Sequence, residues 1–541
     1  MKLLQNSKSS MKKIFGIALL AISFLGCEGF LDKTDPTATT FVEFFNDEGD
    51  LQRVTYSSYL DFFTPRNDRR LLHYMKDGRS DNAYARVSGD HHQVIANGNL
   101  NANSRLTEYY YTLHMKHIGR LNTYIANIDA PYVDNEAVRD RYENILKGLR
   151  IWHYFEVVFR WGDVSFHLEP ADLVDAVQPI TPKEEILETL FAMAEEISEN
   201  LPPDEYNTDK YMFNRYSFKA MVMRYALYFE RYDLAARLAK EIMDSGRYEL
   251  YHDYEGLFQY TGHNANNEFI IHQNLEAVGT NVTYSFRDIG PHYRTGAGQS
   301  YNVPLKSLVD SYWTLQGRRI DECPLHTKEE YELNPKLNRD PRLEASIFGH
   351  GDQFIDDVID IYNPDSPFFH EQQRSSSSGY WFKKFVSELD AFRNGNLTYG
   401  LLRYSEVLLT YAEAKIMMND VDDLAKQAIN QVRERAGLDM SVADVTLPHY
   451  SNFSQQDWIE LIQNERRVEF AGEGLRYDDI IRWRIAEDVL NQPALGHTRE
   501  VNGQLESLHI EDRSFQPHQY LWPFHETSLK VEPTLVQNPG Y

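Results

Sequence analysis

SFKAMVMRYALYFERYDLAARLAKEI, residues 217–242, decides the architecture of this chain. Phe218, Met221, Tyr225 and Tyr228 recur at three- and four-residue steps, which places them on one stripe of a helix. The polar break Glu230-Arg231-Tyr232-Asp233 interrupts that pattern, and Leu234, Leu238 and Ile242 restart it. Two amphipathic helices joined by so short a turn pack as an antiparallel pair. Ala235, Ala236 and Ala239 keep one side of the second helix small, so a neighbouring helix can approach closely.

Outward from this hairpin the same arrangement recurs. Leu401, Tyr404, Leu408 and Tyr411 form one stripe and Leu424, Ala428 and Val432 another, closing at Gly437 as a C-cap. Upstream, Ile145, Leu149, Trp152, Phe155 and Phe159 define a long helix that should stop near Trp161-Gly162-Asp163. Thr181-Pro182-Lys183-Glu184 reads as an N-cap, a proline at the first helical position and an acid in the first turn, with the helix running to about Asn200. The repeats are degenerate and widely separated, so the expectation is a mostly α fold: a tetratricopeptide-like helical-repeat scaffold rather than a regular solenoid. Two stretches, 64–105 and 248–392, lose helical periodicity and fill with Gly, Pro, Asn, Ser and Tyr. Loops of that length on a rigid scaffold are usually the working face.

With 81 acidic against 55 basic residues the chain carries a formal charge of −26, which disfavours nucleic acid, since phosphate contacts require clustered Lys and Arg. At 541 residues, more than one packed subregion is expected. The 35 tyrosines are the compositional excess. Lys12 and Lys13, the apolar run 14–25, Gly26 and Cys27 read as an export leader, 1–26, too short to span a bilayer comfortably. Cys27 directly after glycine resembles a bacterial lipobox, with Phe24 where leucine is usual; this implies a lipidated, palmitate-bearing cysteine and a polar tether over 27–40. The only other cysteine is Cys323, so a disulfide scaffold is excluded. The folded body is then 41–541, with an N-terminal part 41–250 and a C-terminal part 251–541 of one fold.

Along the C-terminal half, Asn338-Arg339-Asp340-Pro341-Arg342-Leu343, Ser378-Gly379-Tyr380 and Arg403-Tyr404-Ser405-Glu406 follow one another, with Ala412-Glu413-Ala414 beyond them. Glu465-Arg466-Arg467-Val468-Glu469-Phe470, Glu473-Gly474-Leu475-Arg476-Tyr477-Asp478-Asp479 and the ending Gln537-Asn538-Pro539-Gly540-Tyr541 continue the series. In their order these motifs resemble the successive signatures of the SusD/RagB family, and Gly148-Leu149-Arg150 through Trp161-Gly162-Asp163 resembles that family's first long helix and its exit turn. The resemblance implies a SusD-like α/α superhelix with a loop-rich binding region. It also implies a lipid-anchored protein on the cell surface of an outer membrane, acting as receptor and lid for a SusC-like TonB-dependent transporter.

Glu465 and Glu469 lie one helical turn apart, a poor arrangement for glycosidase carboxylates, which flank the sugar from separate elements. Glu465 shares a stripe with Trp458, Leu461 and Val468, so a buried ion pair is its expected role. Arg339, Asp340 and Arg342 are expected to fix a loop onto the scaffold. There is no His-Glu-x-x-His, Cys-x-x-Cys, phosphate-cradling glycine loop or nucleophile elbow, and neither a metal nor a cofactor is expected. Sugar binding without chemistry calls for flat aromatic faces beside planar polar groups. Asp81, Asn82, Tyr84 and Arg86 supply these on one loop, and Tyr284, Tyr293, Arg294, Gln299 and Tyr301 on another. Loops at about these two places carry ligand in the family resembled. The expected function is a non-catalytic receptor that captures oligosaccharide. A receptor for peptide or glycoconjugate, a surface hydrolase and a pure interaction scaffold are the alternatives.

Overall fold

The computed structural model describes residues 45–63, 73–86, 91–170, 179–204, 212–262, 266–273, 284–392, 395 and 397–541. The expected leader, the tether and Cys27 lie outside them. Long helices carry both parts of the chain: Arg105–Ala126, Glu136–Trp161, Lys183–Asn200, Arg215–Tyr228 and Tyr232–Asp244 early, then Tyr404–Met417, Asp423–Ala436 and Gln455–Glu469. Strands among the described residues form two-stranded antiparallel pairs only.

The hairpin read from residues 217–242 is present, with its break at residues 229–231. Its second helix, Tyr232–Asp244, packs directly on Tyr404–Met417, which packs in turn on Asp423–Ala436. Hairpins some 170 residues apart in sequence therefore stack as neighbours in one row. Ala235, Ala239, Ala412 and Ala428, all fully buried, make that stacking close. Gly148 does the same for the long helix, because a Cβ there would lie 2.7 Å from the Phe218 ring.

Local signals explain the helix ends. Asn214 accepts from the Ser217 backbone while the Ser217 hydroxyl accepts from the Asn214 N–H, a reciprocal cap. Asp422 accepts from the Ala425 N–H, and Gly437 closes the same helix at φ 85°, the left-handed conformation glycine adopts without strain. Gly162 ends the long helix at φ 78°. Two expectations need correction. Pro182, not Thr181, is the N-cap of Lys183–Asn200, and it offers no side-chain cap. Leu401 lies not on a helical stripe but in the strand Tyr399–Arg403, paired with Phe269–Gln273 and buried throughout, where tertiary pairing overrides a chance three-residue spacing.

The charged motifs converge on one buried network that ties the loop-rich region to the helices. Arg342 bonds Asp340, Glu465 and Glu469, and Glu465 is shared with Arg433. Arg403 reaches Glu268, Glu469 and Glu473; Arg435 also bonds Glu268 and Glu469, and Lys384 bonds Glu473. Five cations thus face five carboxylates, each side chain no more than 6% exposed. Burial opposes the ionisation of Glu469, yet the guanidinium groups of Arg435, Arg403 and Arg342 hold its carboxyl well below the usual range. Arg339 fixes the loop beside it by donating to the carbonyls of Tyr312, Val309 and Pro335.

Candidate functional site

The strand Ala83–Ala85 pairs antiparallel with Asn302–Pro304, Tyr84 opposite Val303 and Ala85 opposite Asn302. The ladder extends one step further, the Arg86 N–H donating to the Tyr301 carbonyl at 2.8 Å. Alternation along a strand turns Ala83 and Ala85 into the interior and sends Tyr84 and Arg86 to the other face. Tyr301, directly across from Arg86, shares that face. Three of the expected side chains are thereby brought together, each half-buried.

Arg86 donates from Nε to the Ser300 carbonyl at 3.2 Å and from Nη2 to the Gln299 carbonyl at 2.6 Å. Its guanidinium carbon lies 5.8 Å from the centre of the Tyr301 ring. Burial pulls the Arg86 pKa below its ordinary value, with the Tyr301 and Tyr84 phenols opposing and Arg374 reinforcing the shift. Burial, and then Glu511, push the Tyr84 phenol up. Gln93 bridges the two by donating to the Tyr84 hydroxyl at 3.3 Å and to Glu511 at 3.2 Å. Behind this face, buried Ser300 sits at φ 50°, accepts from Trp381 Nε1 at 2.9 Å and donates to the Arg374 carbonyl at 2.8 Å. Trp381 is therefore core, and it fixes the loop that carries Tyr301.

The other expected residues divide. Asp81 and Asn82 are corrected: both are buried behind the strand and meet arginines rather than a ligand. Asp81 pairs with Arg467 at 2.8 Å and Arg476 at 2.9 Å; burial alone would raise its pKa, but these guanidinium groups hold it far below the usual carboxylate value. Asn82 accepts from Arg467 Nε at 2.9 Å. Tyr293 is also buried, its hydroxyl on Asp357 at 2.8 Å and its ring stacked on Phe368, so it does not offer a free face. Arg294 is exposed, paired with Asp357 at 3.0 Å and lying 4.8 Å from the centre of the Tyr293 ring. Tyr284 opens the short helix Tyr284–Ile289, and its side chain lies outside the described residues. Gln93, Arg374 and Glu511 are the candidate-site residues the sequence did not flag; exposed Phe392 adjoins Tyr293 at 6.0 Å.

Glu465 and Glu469 are committed to the buried network, so they cannot flank a substrate. Among the described residues, no His, Cys, Asp and Glu side chains group to hold a metal ion.

Stacked antiparallel helices with an aromatic and guanidinium face held over them by loops define a tetratricopeptide-like helical scaffold. Residues 267–541 match the family model described as SusD family, and the chain belongs to that family. A protein of Formosa agariphila described as SusD-like protein P38 is 25% identical over 484 residues, which is 83% of this chain and 83% of that protein. SusD-like protein P25 of the same organism is 23% identical over 573 residues, covering 98% of this chain and 99% of the relative. Among solved structures, a SusD-like carbohydrate binding protein from Bacteroides fragilis superposes with a TM-score of 0.79 at 22% identity, covering 91% of this chain and 100% of that one. Surface glycan-binding protein A from Bacteroides thetaiotaomicron, in complex with laminarihexaose, gives a TM-score of 0.68 at 20% identity over 91% of this chain and 100% of its own. The mostly helical fold is the one these structures share.

Proposed function

We propose that this protein is a non-catalytic nutrient receptor, which captures an oligosaccharide at the cell surface and delivers it to a partner SusC-like TonB-dependent transporter. The leader 1–26 is removed, Cys27 carries the lipid, and the segment 27–40 lifts the body off the outer membrane. Among the described residues no helix is long and apolar enough to cross a membrane, and in this reading the lipid supplies the attachment. The observation that carries the proposal is the Tyr84, Arg86 and Tyr301 face. Two phenol rings offer apolar faces for sugar C–H groups, and the Arg86, Gln93 and Gln299 side chains offer planar polar groups to hydroxyls. Family membership and the glycan-binding descriptions of the structural neighbours support the same substrate class.

Calorimetric titration with a panel of oligosaccharides and peptides, with product formation followed in parallel, tests the reading. Saturable glycan binding without turnover is expected, weakened about tenfold by Tyr84→Ala or Tyr301→Ala, the loss of roughly 1.4 kcal/mol that one ring contact represents. Peptide-only binding, or turnover, would refute it. Co-purification with a TonB-dependent transporter from outer membranes tests the delivery step, and its absence would remove that part.

A further inference from the structure

This inference rests on the proposed receptor function and narrows its ligand. Carboxylates outnumber basic groups in this chain, 81 to 55, and the scaffold neutralises buried guanidinium groups such as Arg342, Arg403 and Arg482 with two or more carboxylates each. Buried Arg339 and Arg150 are bonded instead to carbonyl and amide oxygens inside the scaffold, whereas Arg86 is bonded in that manner but stands half-buried on the open face. Its bonds go to two backbone carbonyls, using Nε and Nη2, and its ion-pairing role is empty among the described residues. The groups that act on it electrostatically are the neutral phenols of Tyr301 and Tyr84 and a second cation, Arg374. Arg374 is exposed, held at φ 73° with its carbonyl fixed by Ser300, and has no carboxylate partner among the described residues either. Glu511, the acid facing Tyr84, is already bonded to Arg513 Nε at 3.0 Å and to Gln93.

A half-buried guanidinium against the Tyr301 ring, beside a second arginine and with no counter-charge among the described residues, is unfavourable in the empty protein. It becomes favourable when an anion arrives. Among the described residues nothing takes Nη1 or the second N–H of Nη2, and two oxygens of a carboxylate or a sulfate accept such a pair in parallel. We infer that the site selects an acidic saccharide, one carrying carboxylate or sulfate, with the anionic group on Arg86 and Arg374 and the sugar ring against Tyr84 and Tyr301.

The full chain in detergent is titrated with oligogalacturonate as the carboxylate probe, a carrageenan-derived oligosaccharide as the sulfate probe, and neutral laminarihexaose. One anionic probe should bind at least about tenfold more tightly than the neutral one, and less tightly at high salt, because ion pairing at a part-exposed site is screened. Arg86→Gln should remove about tenfold of that probe's advantage over laminarihexaose, whatever it costs the neutral probe, with Arg374→Gln having the smaller effect. If Arg86→Gln does not fold, Arg86→Lys with Arg374→Gln reads the same contrast, since lysine keeps the charge and loses the fork. A preference for laminarihexaose, or anionic binding indifferent to both arginines, overturns the acidic-ligand inference and leaves the receptor reading standing. Failure of all three probes overturns both.

Discussion

Replacing Arg403 with methionine tests whether the buried network behaves as a balanced unit. Arg403 donates to Glu473 at 2.8 and 2.9 Å, to Glu268 at 2.8 Å, to Glu469 Oε1 at 2.6 Å and to the Glu469 carbonyl at 2.8 Å. The five cations and five carboxylates sum to zero, so the variant buries one net negative charge. Removing one member of a buried ion pair costs about 3–5 kcal/mol. Here Glu473 keeps Lys384, Glu268 keeps Arg435, and Glu469 keeps Arg435 and Arg342, so no carboxylate is stripped of every partner. The loss should therefore fall near the lower end, about 3 kcal/mol. Methionine fills much of the volume, which limits the cavity contribution. Urea unfolding followed by tryptophan fluorescence reads the effect as a midpoint lowered by up to roughly 1 M, given the steep denaturant slope of a chain this long. The decisive comparison is Arg403→Met combined with Glu473→Gln, which restores neutrality. The double variant should be more stable than the sum of the single changes implies, by at least about 1 kcal/mol. Additivity within about 0.5 kcal/mol would mean that packing, and not charge balance, makes Arg403 matter, and the reasoning would be wrong.

Three further outcomes are expected. Gly148→Ala should lower thermal stability by about 1–2 kcal/mol despite the better helix propensity of alanine, because the new Cβ would press on the Phe218 ring; an unchanged or higher Tm in a thermal scan would contradict this. Burial, with His350 and Lys306 adding to it, lowers the His497 pKa to about 4 from an ordinary 6.5, and burial likewise lowers His114 to about 3. The folded state thus resists protons that the unfolded chain accepts, so these groups contribute stability above pH 6.5 that is lost as pH falls toward 4, each at up to about 1.4 kcal/mol per unit. A Tm that stays flat between pH 7.5 and 5, or one whose fall is unaltered in His497→Gln, would count against that assignment. Cys27→Ser should move the protein from the membrane pellet to the soluble fraction of expressing cells, and continued pelleting would remove the lipid-anchor reading.

How much could be read from the chain depended on how local the deciding interactions are. The hairpins, the left-handed cap at Gly437 and the buried fate of Glu465 follow from spacing within one or two turns, and the structure has them. Tyr84, Arg86 and Tyr301 share a face through two-residue alternation in Ala83–Ala85 and its cross-strand partner, so that part of the candidate site is legible once the pairing is known. Asp81 and Asn82 looked like ligand contacts because short polar side chains on a loop usually are, whereas the arginines that bury them, Arg467 and Arg476, stand about 390 positions away. No local pattern signals a partner at that separation. Asp81 and Asn82 receive their arginines on the buried side of the strand, and Arg86 presents a guanidinium with no carboxylate among the described residues on the open side. The two flanks of one short strand thus differ in pairing, filled toward the scaffold on one side and, among the described residues, vacant toward solvent on the other, which is the asymmetry a surface built to receive an anion requires.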